Sequence, residues 1–202
     1  MKTFVILFAS ILLTACNAQE KNKNRNTTEK TREMTTEKFD IVSFNKHQVN
    51  GEYNFVLKDG SKVRQLSSDN YYEEIITLPK PSYFETYKKY YKTSELYLSI
   101  TSFPNDFLVL KKEYDKTGKL IEEINFDLPY EFTFEQLLEL MKKEKDTIDL
   151  FDKNTSIGRS SDTTGTFWYI TYKKTPMRRE RIKINGITGE ILERSHYPHE
   201  DN

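Results

Sequence analysis

Few side chains in this 202-residue chain are equipped for chemistry. There is one thiol, Cys16, and there are three imidazoles, His47, His196 and His199. His196 and His199 bracket Tyr197-Pro198. A proline there argues against the helix that would bring an i,i+3 pair onto one metal ion, and His47 reads as a solvated turn residue. The acidic doublets Glu73-Glu74 and Glu122-Glu123 fall in strand-like segments, where adjacent side chains point to opposite faces and cannot share a proton. Asp127 and Glu131, either side of Pro129, are the carboxylates that could be neighbours, as the two acids of a glycosidase must be. The polar loop 152–158 has the look of a calcium loop. Such a loop needs glycine at its sixth position and a carboxylate at its twelfth, whereas here Gly158 is seventh and Thr163 is twelfth. Between Gly158 and Gly165 there is neither Gly-x-Ser-x-Gly nor Gly-Lys-Ser/Thr. The expectation is no catalytic residue, no metal, no cofactor and no enzyme.

The thiol has its own context. Residues 4–13 are apolar but for Ser10, about ten in a row, which is the length of a signal-peptide core and about half of a membrane span. Leu13-Thr14-Ala15-Cys16 then resembles the lipobox of bacterial lipoproteins. The resemblance implies a diacylglyceryl thioether on Cys16, cleavage before it, and acylation of the new amino group. Two or three acyl chains hold a protein firmly at a bilayer where one does not. This use consumes the chain's single cysteine and leaves no thiol for a disulfide or for catalysis. Asn17, rather than aspartate, after the cysteine implies delivery to the outer membrane of a cell envelope. Residues 1–15 are thus expected to be a signal peptide.

Residues 16–38 read as a flexible tether. Only Ala18 and Met34 are apolar in 17–38, too little surface to offset the entropy of ordering. A coil of that length spans about 25 Å. The remaining 39–202 suits one domain, dividing at most into 39–130 and 131–202. The chain has 31 Lys plus Arg and 31 Asp plus Glu, a balance that argues against nucleic acid as a partner. Mean hydropathy is −0.74, yet there are 13 tyrosines and 13 phenylalanines. A core and a recognition surface built from aromatic rings both fit that composition.

Strands are expected at 39–45, 53–58, 62–66 and 71–78, with a hairpin at Asp59-Gly60. Ser82 and Glu85 have the spacing of a capping box. Tyr83, Phe84, Tyr87, Tyr90 and Tyr91 follow it at helical intervals. Strands follow at 95–103, 107–114 and 120–127. A second capping box opens at Thr133, with the stripe Phe134, Leu137, Leu138 and Met141, and strands recur at 166–174, 179–185 and 190–194. The expected fold class is therefore α+β: an antiparallel sheet with two α-β-β-β units in tandem (82–127 and 133–195) and helices on one sheet face. The opposite face would be open to solvent or a partner.

The run Trp168-x-Ile170-x-Tyr172, then Arg181 to Leu192, resembles the closing hairpin of PepSY-type domains, with Asn185 where that hairpin commonly has aspartate. The resemblance implies a small inhibitory or binding domain outside the cytoplasm. Gly189 supplies a positive φ and Asn185 can cap the turn, with or without a family. Tyr114 to Ile121 is similar to one MORN-like hairpin, and equally to any β-hairpin. Asp146-Thr147-Ile148 and Asp162-Thr163-Thr164 resemble O-glycan acceptor tripeptides of exported bacterial proteins. The functional expectation is a membrane-anchored module, held to the lipid bilayer through acylated Cys16, that binds or inhibits a protein partner, an immunity protein being the sharper version. The alternative is a structural or assembly lipoprotein of the envelope.

Overall fold

In the computed structural model, residues 33–198 are described apart from 81, 105, 145–147 and 151. Cys16, the expected signal peptide, His199 and Asp146-Thr147 lie outside the described residues.

The expected α+β architecture is not what forms. The chain is mainly β, with two antiparallel meanders and two short helices among the described residues. The first sheet has seven strands in sequence order: β1 (Glu52–Val56), β2 (Lys62–Ser67), β3 (Tyr71–Thr77), β4 (Glu85–Tyr91), β5 (Leu96–Phe103), β6 (Phe107–Tyr114) and β7 (Leu120–Asn125). The second has four: β8 (Ser156–Asp162), β9 (Gly165–Thr175), β10 (Arg178–Asn185) and β11 (Ile191–Pro198). Helices α1 (Ile41–His47) and α2 (Phe134–Lys142) each pack on one of them.

The expected helix at 82–91 is strand β4. Its capping-box spacing is real, but Thr86, Tyr87, Tyr90 and Tyr91 favour a pleated surface, and β4 is bonded on both sides, to β3 and β5. Pairing on two edges outweighs local helical spacing. The strand then divides the tyrosines: Tyr90 points to the covered face and is 2% exposed, while Tyr87 and Tyr91 point to the other. Conversely, the expected strand at 39–45 is α1. The Asp40 side chain accepts from the Ser43 backbone N–H at 2.9 Å, an N-cap. Phe44 then drops onto Tyr72 and Phe39.

Helix α2 forms as expected. Thr133 and Gln136 exchange both bonds of the capping box. Phe134, Leu137 and Met141 bury against Ile157, Trp168, Ile170, Ile182 and Ile184 of the smaller sheet. The loop expected before 166–174 contains strand β8. The two sheets meet where Phe84 and Phe107 pack edge-on against Phe134, Phe107 also edge-on against Trp168, and Phe103 tilted against Phe134. Arg159 of β8 fills the seam. Its guanidinium lies 4.7 Å from the Phe107 and Tyr130 ring centres, reaches Asp127 Oδ1 at 2.6 Å and donates to the Leu108 carbonyl.

The chain is bonded to the body from Glu33 onward. Leu120 N–H donates to Glu33 O, Thr35 N–H to Gly118 O, Leu96 N–H to Glu37 O and Phe39 N–H to Ser94 O, at 2.8–3.3 Å. This strap crosses the turns at one end of the seven-stranded sheet. Gly118 has φ +83°, and a Cβ there would fall 2.1 Å from Thr35 O, so the crossing requires glycine.

Candidate binding face

Strand alternation sorts the seven-stranded sheet into two faces. One is covered by the strap and α1, which bury Phe39, Phe44, Tyr90, Leu96 and Tyr114 together. On the other, the ring contacts, ion pairs and hydrogen bonds between described side chains end on the same sheet or its turns. Three registers order it. Tyr71 stands opposite Tyr91, with Tyr97 inserted beside them at the β4–β5 bulge. Leu66, Glu73, Lys89, Leu98, Glu113 and Glu122 form the next row across the strands. Arg64, Ile75, Tyr87, Ile100, Lys111 and Ile124 form the third by the same pairings.

The tyrosine cluster is tight. Tyr97 stacks on Tyr71 at 5.6 Å and leans on Tyr91 at 5.2 Å. Lys89 Nζ sits 4.9 Å above the Tyr71 ring and Lys116 Nζ 5.4 Å above Tyr91. The hydroxyls are anchored as well. Burial, then hydrogen bonding to Glu73, pushes the Tyr87 phenol well above its ordinary pKa. The charge of Glu113 leads the upward shift of Tyr97. Ion pairs lie on the β1–β2 and β6–β7 sides: Arg64 with Glu52 at 3.0 Å, and Lys111 with Glu122 at 2.6 Å and Glu113 at 3.4 Å. The rings and pairs are therefore held in fixed positions. That reduces the side-chain entropy lost on binding. Rigid tyrosine and aliphatic surface, flanked by balanced charge, has the anatomy of a protein interface.

The other chemistry-bearing residues are placed elsewhere. Glu73 and Glu74 do point apart: Glu73 lies on the open face, and Glu74 lies under the strap. There the Tyr90 hydroxyl donates to Glu37 Oε1 at 2.6 Å, with Glu74 Oε1 3.3 Å away. Lys88 Nζ also reaches Glu37 at 2.7 Å, and Gln65 Nε2 donates to Glu74 at 2.7 Å. Two carboxylates thus converge on one phenol. Burial, followed by these two charges, raises its pKa far above the ordinary range. These groups hydrogen-bond one another around the buried tyrosine, so the cluster serves as a latch for the strap. Sequence reading missed it because Glu37 lies in a segment whose composition signals only solvation.

Glu122 pairs with Lys111, and Glu123 lies 3.9 Å from Lys112. Asp127 is engaged by Arg159 rather than by Glu131. Asp152 Oδ1 is taken up within its own turn by the backbone N–H and side-chain amide of Asn154. His47 lies in the last turn of α1, not in an isolated turn, with Nδ1 2.9 Å from Ser43 O, and stacks on Tyr53. His196 lies on β11. Asn185 Oδ1 accepts from the N–H groups of Ile187 and Thr188, and Gly189 has φ +76°, so the turn is capped as its sequence implies. Among the described residues no three His, Cys, Asp or Glu side chains are grouped to hold a metal ion, and no helix is long and apolar enough to cross a membrane. No protein-family model, curated protein or solved structure matches the chain.

Proposed function

We propose that this chain is a lipid-anchored, extracytoplasmic binding module. In this reading Cys16 carries the acyl chains, the cell envelope is its location, and the open face of the seven-stranded sheet is the surface offered to a protein partner. The observation that carries the proposal is that face itself. Tyr71, Tyr87, Tyr91 and Tyr97 lie among Leu66, Ile75, Leu98 and Ile100 with no described element over them. Burying such an aromatic and aliphatic centre inside a polar rim is what a specific partner does. The near-equal count of charges excludes long-range attraction of a polyanion by the body as a whole. An inhibitory role, including immunity against an imported toxin, is the form of binding that needs only a rigid face and an anchor.

Site-specific photocrosslinking in the cells that make the protein tests this. A photoreactive phenylalanine at Tyr97 is expected to give one discrete protein adduct, lost when Ile75 and Ile100 are both replaced by lysine. The same probe at Leu128, away from the face, is expected to give none. Equal adduct patterns from the two positions would overturn the assignment. A deletion strain with leaky membranes, and normal adducts in the lysine variant, would favour an assembly role through another surface.

A further inference from the structure

Asparagine is followed by glycine twice in this chain, at Asn50-Gly51 and at Asn185-Gly186. Glycine has no side chain to hinder its backbone nitrogen, so that nitrogen can attack the asparagine side-chain carbonyl. A bond forms from the glycine nitrogen to Cγ, the bond from Cγ to the amide nitrogen breaks, and the backbone amide proton leaves with that nitrogen as ammonia. Water then opens the cyclic imide at either carbonyl. One opening gives aspartate. The other gives isoaspartate, whose main chain runs through the side-chain carbon and is one methylene longer. Water is the sole co-reactant.

The fold treats the two pairs differently. At the β10–β11 turn, Asn185 Oδ1 accepts from the Ile187 and Thr188 N–H groups at 2.8 and 3.1 Å, and Gly186 N–H donates to Thr166 O at 2.7 Å. Gly186 is buried, and a Cβ on it would fall 2.6 Å from the Thr166 side chain. Ring closure there must break three bonds inside a packed turn. At the α1–β1 turn, Asn50 is exposed, and its side chain makes no hydrogen bond among the described residues. Gly51 N–H donates to Oε1 of the exposed Gln48 at 2.8 Å. A Cβ on Gly51 would meet nothing nearer than Ser67 O at 3.8 Å. One solvent-facing bond stands between this nitrogen and its target.

The turn at Asn50 is also one that the longer product cannot keep. Val49 and Glu52 exchange both backbone bonds, at 2.8 and 3.1 Å, around Asn50 at φ +52° and Gly51 at φ +82°. A two-residue connection of this kind needs both central residues in the left-handed region. Its length fixes the pairing on either side, so an added main-chain methylene breaks the closure. We propose that Asn50 is a site of spontaneous succinimide formation, and that its isoaspartyl product unties the turn joining α1 to β1. Neither the lipid anchor nor the partner face is involved.

The test incubates the full chain, folded, in mildly alkaline buffer, with a parallel sample in urea. Peptides holding Asn50 and Asn185 are read by mass spectrometry, with fragmentation that separates isoaspartate from aspartate. Urea removes the fold and should let both pairs convert at similar rates. In the folded chain, ring closure at Asn185 breaks two bonds more than at Asn50, each worth roughly fivefold in an opening equilibrium, so Asn50 should convert about 25-fold faster. Amide exchange at Val49 and Glu52 should then lose its protection in the aged chain, while the central strand β5 keeps its own. Asn50→Asp, which adds the charge without the methylene, should retain the protection at Val49 and Glu52. Equal conversion of the two asparagines in the folded chain, or conversion of Asn50 in urea alone, overturns the site. Unchanged exchange at Val49 and Glu52 in the isoaspartyl chain, or the same loss in Asn50→Asp, overturns its effect on the turn.

Discussion

Replacing Tyr90 with phenylalanine removes one oxygen and leaves the ring in place among Phe39, Leu96 and Tyr114. The lost group is the hydroxyl that donates to Glu37 at 2.6 Å. Hydrogen bonds to charged partners contribute about 1.5–3 kcal/mol. The Glu37 side chain is 37% exposed and keeps Lys88, so the lower end applies and the expected loss is about 1–2 kcal/mol. Urea unfolding followed by tryptophan fluorescence reads this as a midpoint shift of about 0.5–1 M, for a slope near 2 kcal/mol per molar. The pH profile supplies an independent check. The folded pKa of Tyr90 is raised above the unfolded value near 10. Its contribution is fully present below about pH 10 and declines as pH rises toward the folded value. In that window the unfolded chain binds fewer protons than the folded one, so stability falls by up to about 1.4 kcal/mol per pH unit for this one group. The phenylalanine variant should lose that share of the alkaline slope. In a double-mutant cycle, Glu37→Gln with Tyr90→Phe should show a coupling above about 0.5 kcal/mol. A midpoint unchanged within error, together with an unchanged alkaline slope, would refute the latch.

Three further substitutions probe other joints. Gly189→Ala places a Cβ 2.3 Å from the Phe132 ring at φ +76° and should cost about 1–3 kcal/mol in chemical denaturation. Thr133→Ala removes the α2 cap and should cost about 1 kcal/mol, with Thr133→Ser restoring most of it. Arg159→Ala empties the space between Phe107, Tyr130 and Trp168, where the side chain is only 7% exposed. About 2–4 kcal/mol should be lost and tryptophan emission should shift to the red.

Local signals served well where they agreed with the tertiary environment. The box at Thr133, the Asp59-Gly60 turn and the Asn185–Gly189 turn all form, because each is closed by bonds among neighbours in sequence. Ser82–Glu85 carried a comparable signal and failed. Its segment lies between β3 and β5, and a strand paired on both edges gains ladder bonds that no helix could match there. Strand β8 was illegible for a different reason. In Ser-Ile-Gly-Arg-Ser-Ser-Asp only Ile157 is a buried hydrophobe. The strand exists because β9 templates it and Arg159 finds three rings. In α1 the Asp40–Ser43 cap was present but overshadowed by the apolar Phe39, Ile41 and Val42. Tyrosine was expected on a sheet face or edge, and which tyrosines share a face depended on assigning β4 as a strand.

A body held at a bilayer through Cys16 is the premise on which a membrane-surface partner depends. Intact-protein mass spectrometry of the chain purified from its own membranes tests it most directly. The predicted species begins at Cys16 and carries a diacylglyceryl group with an acylated amino terminus. A chain with residues 1–15 still attached, or with an unmodified Cys16 thiol, would contradict it.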